Sequence, residues 1–231
     1  MSTKDTPILS VRRLFLISFC ILFLEMACIR WLNATVPVLA YFNNLILISC
    51  FFGLGVGSLM ANRRWNMIRW FPFALLFFVG AVLLLQEYSI DVSYTEDTLF
   101  YDVKGDEDHA AGSRVFFAGE ALTLSLSAVA GFFVNMLIFC ILGQELGRQL
   151  TCVDNPIRAY GWDIAGSLAG VVLYTVLSAL GTPPHLWYAV GGFLLLYFLR
   201  DRRMIAGAVA ALLVVTAVVA GSYQDAEWSP Y

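Results

Sequence analysis

The sequence predicts an all-α protein: a polytopic transmembrane helix bundle of about seven spans, with its N-terminus in the cytoplasm. Three observations carry this. The 231 residues are 60% hydrophobic and only 13% charged, whereas soluble domains carry about 25% charged residues. Seven runs are apolar enough to test as spans, against the roughly 20 residues a bilayer crossing needs. The basic residues cluster between alternate runs, as the positive-inside bias requires.

The runs are Leu14–Leu32, Leu39–Ala61, Trp70–Gln86, Ala121–Gly143, Ala159–Leu180, His185–Leu199 and Met204–Gly221. The third and sixth are short. The first is a retained span rather than a cleaved signal, because Glu25 and Arg30 interrupt it and no small-x-small site follows. This divides the chain into a cytoplasmic segment 1–13, a transmembrane domain 14–221 and a tail 222–231. If every run crosses, 11 of the 14 basic residues lie on the inner side. They are Lys4, Arg12 and Arg13; Arg63, Arg64 and Arg69; Arg148 and Arg158; and Arg200, Arg202 and Arg203. Trp31 and Trp187 fall at outer ends of runs, and Trp65, Trp70 and Trp162 at inner ends, the positions of an interfacial aromatic belt. The lipid bilayer is the expected surrounding, and a bacterial inner membrane the expected location.

The second run contains FFGLGVGSLMANRRW. Its glycines do not form a dinucleotide turn. Such a turn needs a strand before it and an acidic residue about 20 positions later, and no acid occurs between Gly57 and Gln86. Ser49, Gly53, Gly57 and Ala61 instead recur every four residues, a single helical stripe of small side chains. In lipid such a stripe lets two helix backbones approach closely. Gly166 and Gly170 repeat the device in the fifth run. The expectation is that spans two and five lie centrally in the bundle.

Polar chemistry within the spans is sparse. Glu25 lies about 16 Å along the first run at 1.5 Å per residue, near the membrane midplane. A charge there costs at least about 2.5 kcal/mol on insertion scales. It therefore faces protein or water, either as a clasp between helices or as a ligand, ion or proton site. Arg30 is nearer the outer surface, where its long side chain can snorkel. The two are five positions apart and do not share a helix face. Asp163 falls one turn into the fifth run, where a helix N-terminus favours negative charge. Ser167, Arg158 and Arg148 are its candidate partners. Glu145 is expected solvated at the inner interface. Asn43, Asn44 and Asn135 offer interhelical hydrogen bonds.

The one long loop, 88–117, is placed outside. Its acidic stretch from Asp102 to His109 offers carboxylates to calcium or a polycation, but lacks the spacing of a calcium loop. Simple hydration is the plainer reading there. No metal-ligand spacing, no nucleophile–base constellation and no basic, aromatic-interleaved surface for nucleic acid is present. None of the five cysteines, Cys20, Cys28, Cys50, Cys140 and Cys152, falls in an outer loop, so no disulfide framework is expected.

Two long stretches carry a resemblance. One is LFLISFCILFLEMACIRWL with the following AYFNNLILISCFFGLGVGSLMANRR. The other is GQELGRQL with NPIRAYGWDIAGSLAGVVLYTVLSALGTPPHLWY. They resemble the opening and later spans of membrane-bound spermidine synthase-like proteins, and the ending EWSPY resembles the first residues of the soluble domain that follows in those proteins. Full-length members join a multi-span membrane part to a Rossmann-like aminopropyltransferase or methyltransferase-like part. The resemblance therefore implies a membrane domain without its enzyme. That leaves no catalytic residue and no cofactor in this chain, and a synthase-like domain or another protein as partner. The charge pattern sets Tyr231 outside, whereas an aminopropyltransferase uses a cytosolic cofactor. Either the partner domain does different chemistry outside, or the third or sixth run fails to cross.

Two functions follow from these readings. One is an anchor or scaffold for a synthase-like domain or a larger membrane complex. The other is transport of polyamines or protons along a polar path at Glu25, Arg30 and Asp163.

Overall fold

The computed structural model describes residues 7–36, 39, 43–99, 110–199 and 201–222, with side chains at 10–36, 39, 44–86, 126–199 and 201–222. Among these residues every regular element is helical. In chain order they are α1 (Pro7–Thr35), α2 (Asn43–Leu59), a 3-10 turn (Met67–Trp70), α3 (Phe71–Leu99) and α4 (Ala110–Thr151). After these come α5 (Pro156–Ala179), α6 (Pro184–Leu195), a 3-10 turn (Leu196–Phe198) and α7 (Arg202–Gly221).

Among the described residues five stretches are long and apolar enough to cross a membrane: Ser10–Thr35, Met67–Gln86, Leu126–Thr151, Pro156–Ala179 and Arg202–Gly221. Five of the seven expected runs therefore qualify by length among these residues; the second and sixth are described as the 17-residue α2 and the 12-residue α6. The third is longer than expected, because the 3-10 turn leads directly into a 29-residue α3. The loop expected over 88–117 is also reduced, since α3 continues to Leu99 and α4 begins at Ala110. The acidic stretch through Asp102 and His109, with Lys104, lies outside the described residues, as does the tail from 223.

Local chemistry explains the helix ends. Asn155 caps α5, its side-chain oxygen accepting from the Ile157 and Arg158 N–H groups, and Pro156 occupies the first turn. Gly181 ends the same helix with φ 66°, a left-handed conformation that glycine adopts without steric cost. The Thr182 N–H then returns to the Leu177 carbonyl. Pro184 opens α6, and Asp201 caps α7 through the Arg203 N–H.

The contacts define how the helices run. Along α1 and α5, Phe15 meets Trp162, Phe23 meets Tyr174 and Arg30 meets Ser178, so the two are parallel. Along α2 and α4, Gly53 meets Met136 and Gly57 meets Cys140, so these are parallel too. Against α1, α6 is antiparallel: Gly191 packs on Leu24, Tyr188 on Cys28 and Trp187 beside Arg30. The start of α3 sits at the end of α4, where the Met67 N–H donates to Gln144 Oε1 over 2.8 Å.

The core forms around α1, most of whose span is buried, whereas most of α5 is not. The fifth span is therefore peripheral, not central. It buries Gly166 and Gly170 against the α1 backbone and turns Ile164, Leu168, Val172 and Val176 outward. The aromatic belt also divides. Trp65, Trp70 and Trp162 are exposed, but Trp31 and Trp187 are wholly buried. Trp31 packs against Phe78 and Tyr188, and Trp187 donates to Thr182 Oγ1 over 2.8 Å. A tryptophan near a span end is equally able to fill a gap between helices, and sequence position alone does not separate the two cases.

One side chain clamps the α2–α3 connection. Arg148 on α4 donates to the carbonyls of Ala61, Arg63 and Trp65 and to Asn66 Oδ1. One turn earlier, Gln144 donates to the Met60 carbonyl. The planar guanidinium supplies several donors in a fixed fork that lysine lacks. Arg148→Ala and Arg148→Lys are both expected to loosen this connection. Trypsin cleavage at the exposed Arg63 and Arg64 should then quicken by about tenfold, about 1.4 kcal/mol of lost local protection. Unchanged cleavage of the detergent-solubilised variants would refute the clamp.

Candidate polar site within the spans

Two interlocked pairs place the intramembrane polar groups. In the α2/α4 pair the whole small-residue stripe faces α4. A Cβ on Gly53 would lie 2.4 Å from the Met136 carbonyl oxygen, and one on Gly57 2.1 Å from that of Cys140. Ala61 meets Gly147, and Ser49 meets Asn135. The facing glycines Gly143 and Gly147 are not among the expected packing residues, although GQELG carries the same spacing of four. A Cβ on Gly143 would lie 2.5 Å from the Leu54 carbonyl oxygen. In the α1/α5 pair, Gly166 sits over the Phe15 carbonyl and Gly170 over that of Phe19.

The polar candidates distribute over these seams rather than along one path. Asp163 is half-buried and its Oδ1 lies 2.5 Å from Ser18 Oγ on α1. Ser18 Oγ is also 3.0 Å from the Leu14 carbonyl, so its single proton serves one acceptor at a time. The expected partners of Asp163 are not the ones found: Ser167 makes no bond to it, and Arg148 is occupied in the clamp. Arg30 reaches across to two neighbouring helices. Its Nη1 donates to Ser178 Oγ on α5, and its guanidinium carbon lies 5.3 Å from the Trp187 ring centroid on α6. Glu145 is buried, not solvated, and accepts from Gln149 Nε2 over 2.7 Å.

Glu25 is 1% exposed. Its Oε2 has no hydrogen-bond partner among the described residues. It is near enough to act electrostatically on Cys28 of its own helix and on Cys50 of α2. The Asn135 side chain reaches the same place from α4, with Nδ2 2.6 Å from Ser49 Oγ and 3.2 Å from Cys50 Sγ. Its Oδ1 is likewise buried without a partner. The junction of α1, α2 and α4 thus gathers a carboxyl, a carboxamide, a hydroxyl and two thiols in a low-dielectric setting. Arg30 is directed instead to α5 and α6, and Asp163 lies opposite Ser18, about two helical turns along α1 from Glu25.

Chemically, the junction offers two buried oxygen atoms without a hydrogen-bond partner among the described residues, Glu25 Oε2 and Asn135 Oδ1. Among the described residues no group of three or more His, Cys, Asp or Glu side chains is placed to hold a metal ion. Asn44 is exposed on α2 and joins no interhelical bond, and His185 is half-buried at the start of α6. The five cysteines are free thiols. No protein-family description, curated protein or solved structure matches the chain.

Proposed function

We propose that this chain is an integral-membrane anchor and scaffold, the helical part of a spermidine synthase-like assembly or of a larger membrane complex. One observation carries the reading: three polar side chains of the spans are directed across helix boundaries. Asp163 joins α5 to α1, Arg30 joins α1 to α5 and α6, and Asn135 joins α4 to α2. In lipid such bonds average about 0.6 kcal/mol each and combine with close backbone packing to hold helices together. The resemblance of both long stretches to the membrane part of synthase-like proteins supports the choice of partner.

In this reading all seven helices cross, the N-terminus is cytoplasmic and the membrane is a bacterial inner one. The parallel pairs α1/α5 and α2/α4 and the antiparallel pair α1/α6 are what alternate crossing requires. A 17-residue α2 spans about 26 Å, and local bilayer thinning accommodates a few missing ångströms at modest cost. The second reading, polyamine or proton transport, is favoured by the unpartnered Glu25 Oε2.

Reconstituted liposomes separate the two. Labelled spermidine and a lumenal pH dye are expected to report no flux above that of empty liposomes. Cross-linking in native membranes is expected to yield a stoichiometric partner with a cofactor-binding fold. Chain-dependent flux of either species that disappears in Glu25→Gln would overturn the scaffold as a complete account.

A further inference from the structure

A groove of about 520 Å³ opens where α1 and α5 begin and α6 ends, lined by Val11, Arg12, Phe15, Leu16, Arg158, Trp162 and Tyr197. Its walls are mostly apolar and aromatic, and Phe15 meets Trp162 edge to face at 6.2 Å. Its two cations, Arg12 and Arg158, are both exposed and make no hydrogen bond or ion pair among the described residues. The first amides of α5 are already capped by Asn155, so the attraction for an anion comes from the guanidiniums and not from the helix end.

We infer that this groove binds an anionic diacylglycerophospholipid. Two guanidiniums at its edge match a phosphate in charge and in donor geometry. Trp162 and Tyr197 offer the amphipathic rings that settle at headgroup level. From Trp162 the outward face of α5 continues through Ile164, Leu168 and Val172, an apolar track for an acyl chain. A free phosphate would leave that track and the aromatic walls uncovered. Basic pockets between spans are general binding places for acidic headgroups. The inference requires the membrane setting but neither the scaffold nor the transport reading.

Native mass spectrometry of the detergent-purified chain, offered phosphatidylglycerol and phosphatidylcholine in equal amounts, tests it. Phosphatidylglycerol adducts are expected to exceed phosphatidylcholine adducts by about tenfold, the preference that two surface arginines give an anionic headgroup. The preference should vanish in the double variant Arg12→Gln, Arg158→Gln. It should persist in Arg202→Gln, Arg203→Gln, whose exposed arginines lie outside the groove. No preference in the wild type, persistence in the first variant, or equal loss in both would overturn the site. A photo-reactive side chain at Phe15 in intact membranes gives a second reading that does not depend on those variants. Lipid adducts support the inference, whereas an adduct with a protein segment would replace the lipid by a peptide occupant.

Discussion

Gly57→Ala is expected to lower the stability of the solubilised protein by about 3 kcal/mol, the upper part of the range for overpacked sites. The added methyl carbon would lie 2.1 Å from the Cys140 carbonyl oxygen and 2.7 Å from the Gln144 amide nitrogen. Both neighbours are backbone atoms of α4, so no rotamer change relieves the overlap. The helices must separate, and with them the contacts of Ser49, Gly53 and Ala61. Gly55, two residues away, has open space on that side. Gly55→Ala should therefore change stability by no more than about 0.5 kcal/mol. Unfolding of both variants in a denaturing detergent series, followed by tryptophan fluorescence, measures the difference. Equal stability of the two would mean that the stripe does not pack as described. Gly57→Leu should fail to assemble.

Glu25→Leu is expected to act in the opposite direction, raising stability by about 1–3 kcal/mol. A buried polar atom without a partner costs about that much, and leucine has a similar volume and nothing to desolvate. Glu25 Oε2 is such an atom, at a residue 1% exposed. Glu25→Gln should fall between, since the carboxamide keeps the polar atoms and removes the ionisable group. The same unfolding series applies. A Glu25→Leu protein that is less stable than the wild type would show that the carboxyl has a stabilising partner, and the packing at the α1, α2 and α4 junction would need revision. Together the two variants distinguish what holds the bundle together from what it tolerates: close backbone contact is essential, and the midplane carboxyl is not.

Particular residues show how far the sequence could be read. The four-residue spacing of Ser49, Gly53, Gly57 and Ala61 announces a close helix contact, because small side chains on one face have few other uses in lipid. It does not announce the partner. That partner is α4, through Gly143 and Gly147, and the α5 glycines serve a separate contact with α1. The expectation that α5 is central failed for this reason: a glycine stripe reports one tight neighbour, not the number of neighbours. The α5 helix packs its glycines on α1 alone, touches α6 through Tyr174 and Trp187, and keeps an outward face of Ile164, Leu168, Val172 and Val176. Asp163 was legible as a polar residue near a helix start, but Ser18 lies 145 positions away and no local spacing pointed to it. Trp31 and Trp187 carried the composition of a belt, and only packing against Phe78, Tyr188 and Tyr174 placed them inside.

What the sequence by itself determined is the solvent and the secondary structure. Apolar runs of this length admit only lipid surroundings, and in lipid the unsatisfied backbone forces helices. Tertiary structure alone decided which helices meet, which ends are long enough, and where the few polar groups find partners. Hydropathy is a property of each segment. Side-chain partnership depends on interlocking surfaces from distant parts of the chain, and every apolar face is equally compatible with lipid until one of them fits another helix better.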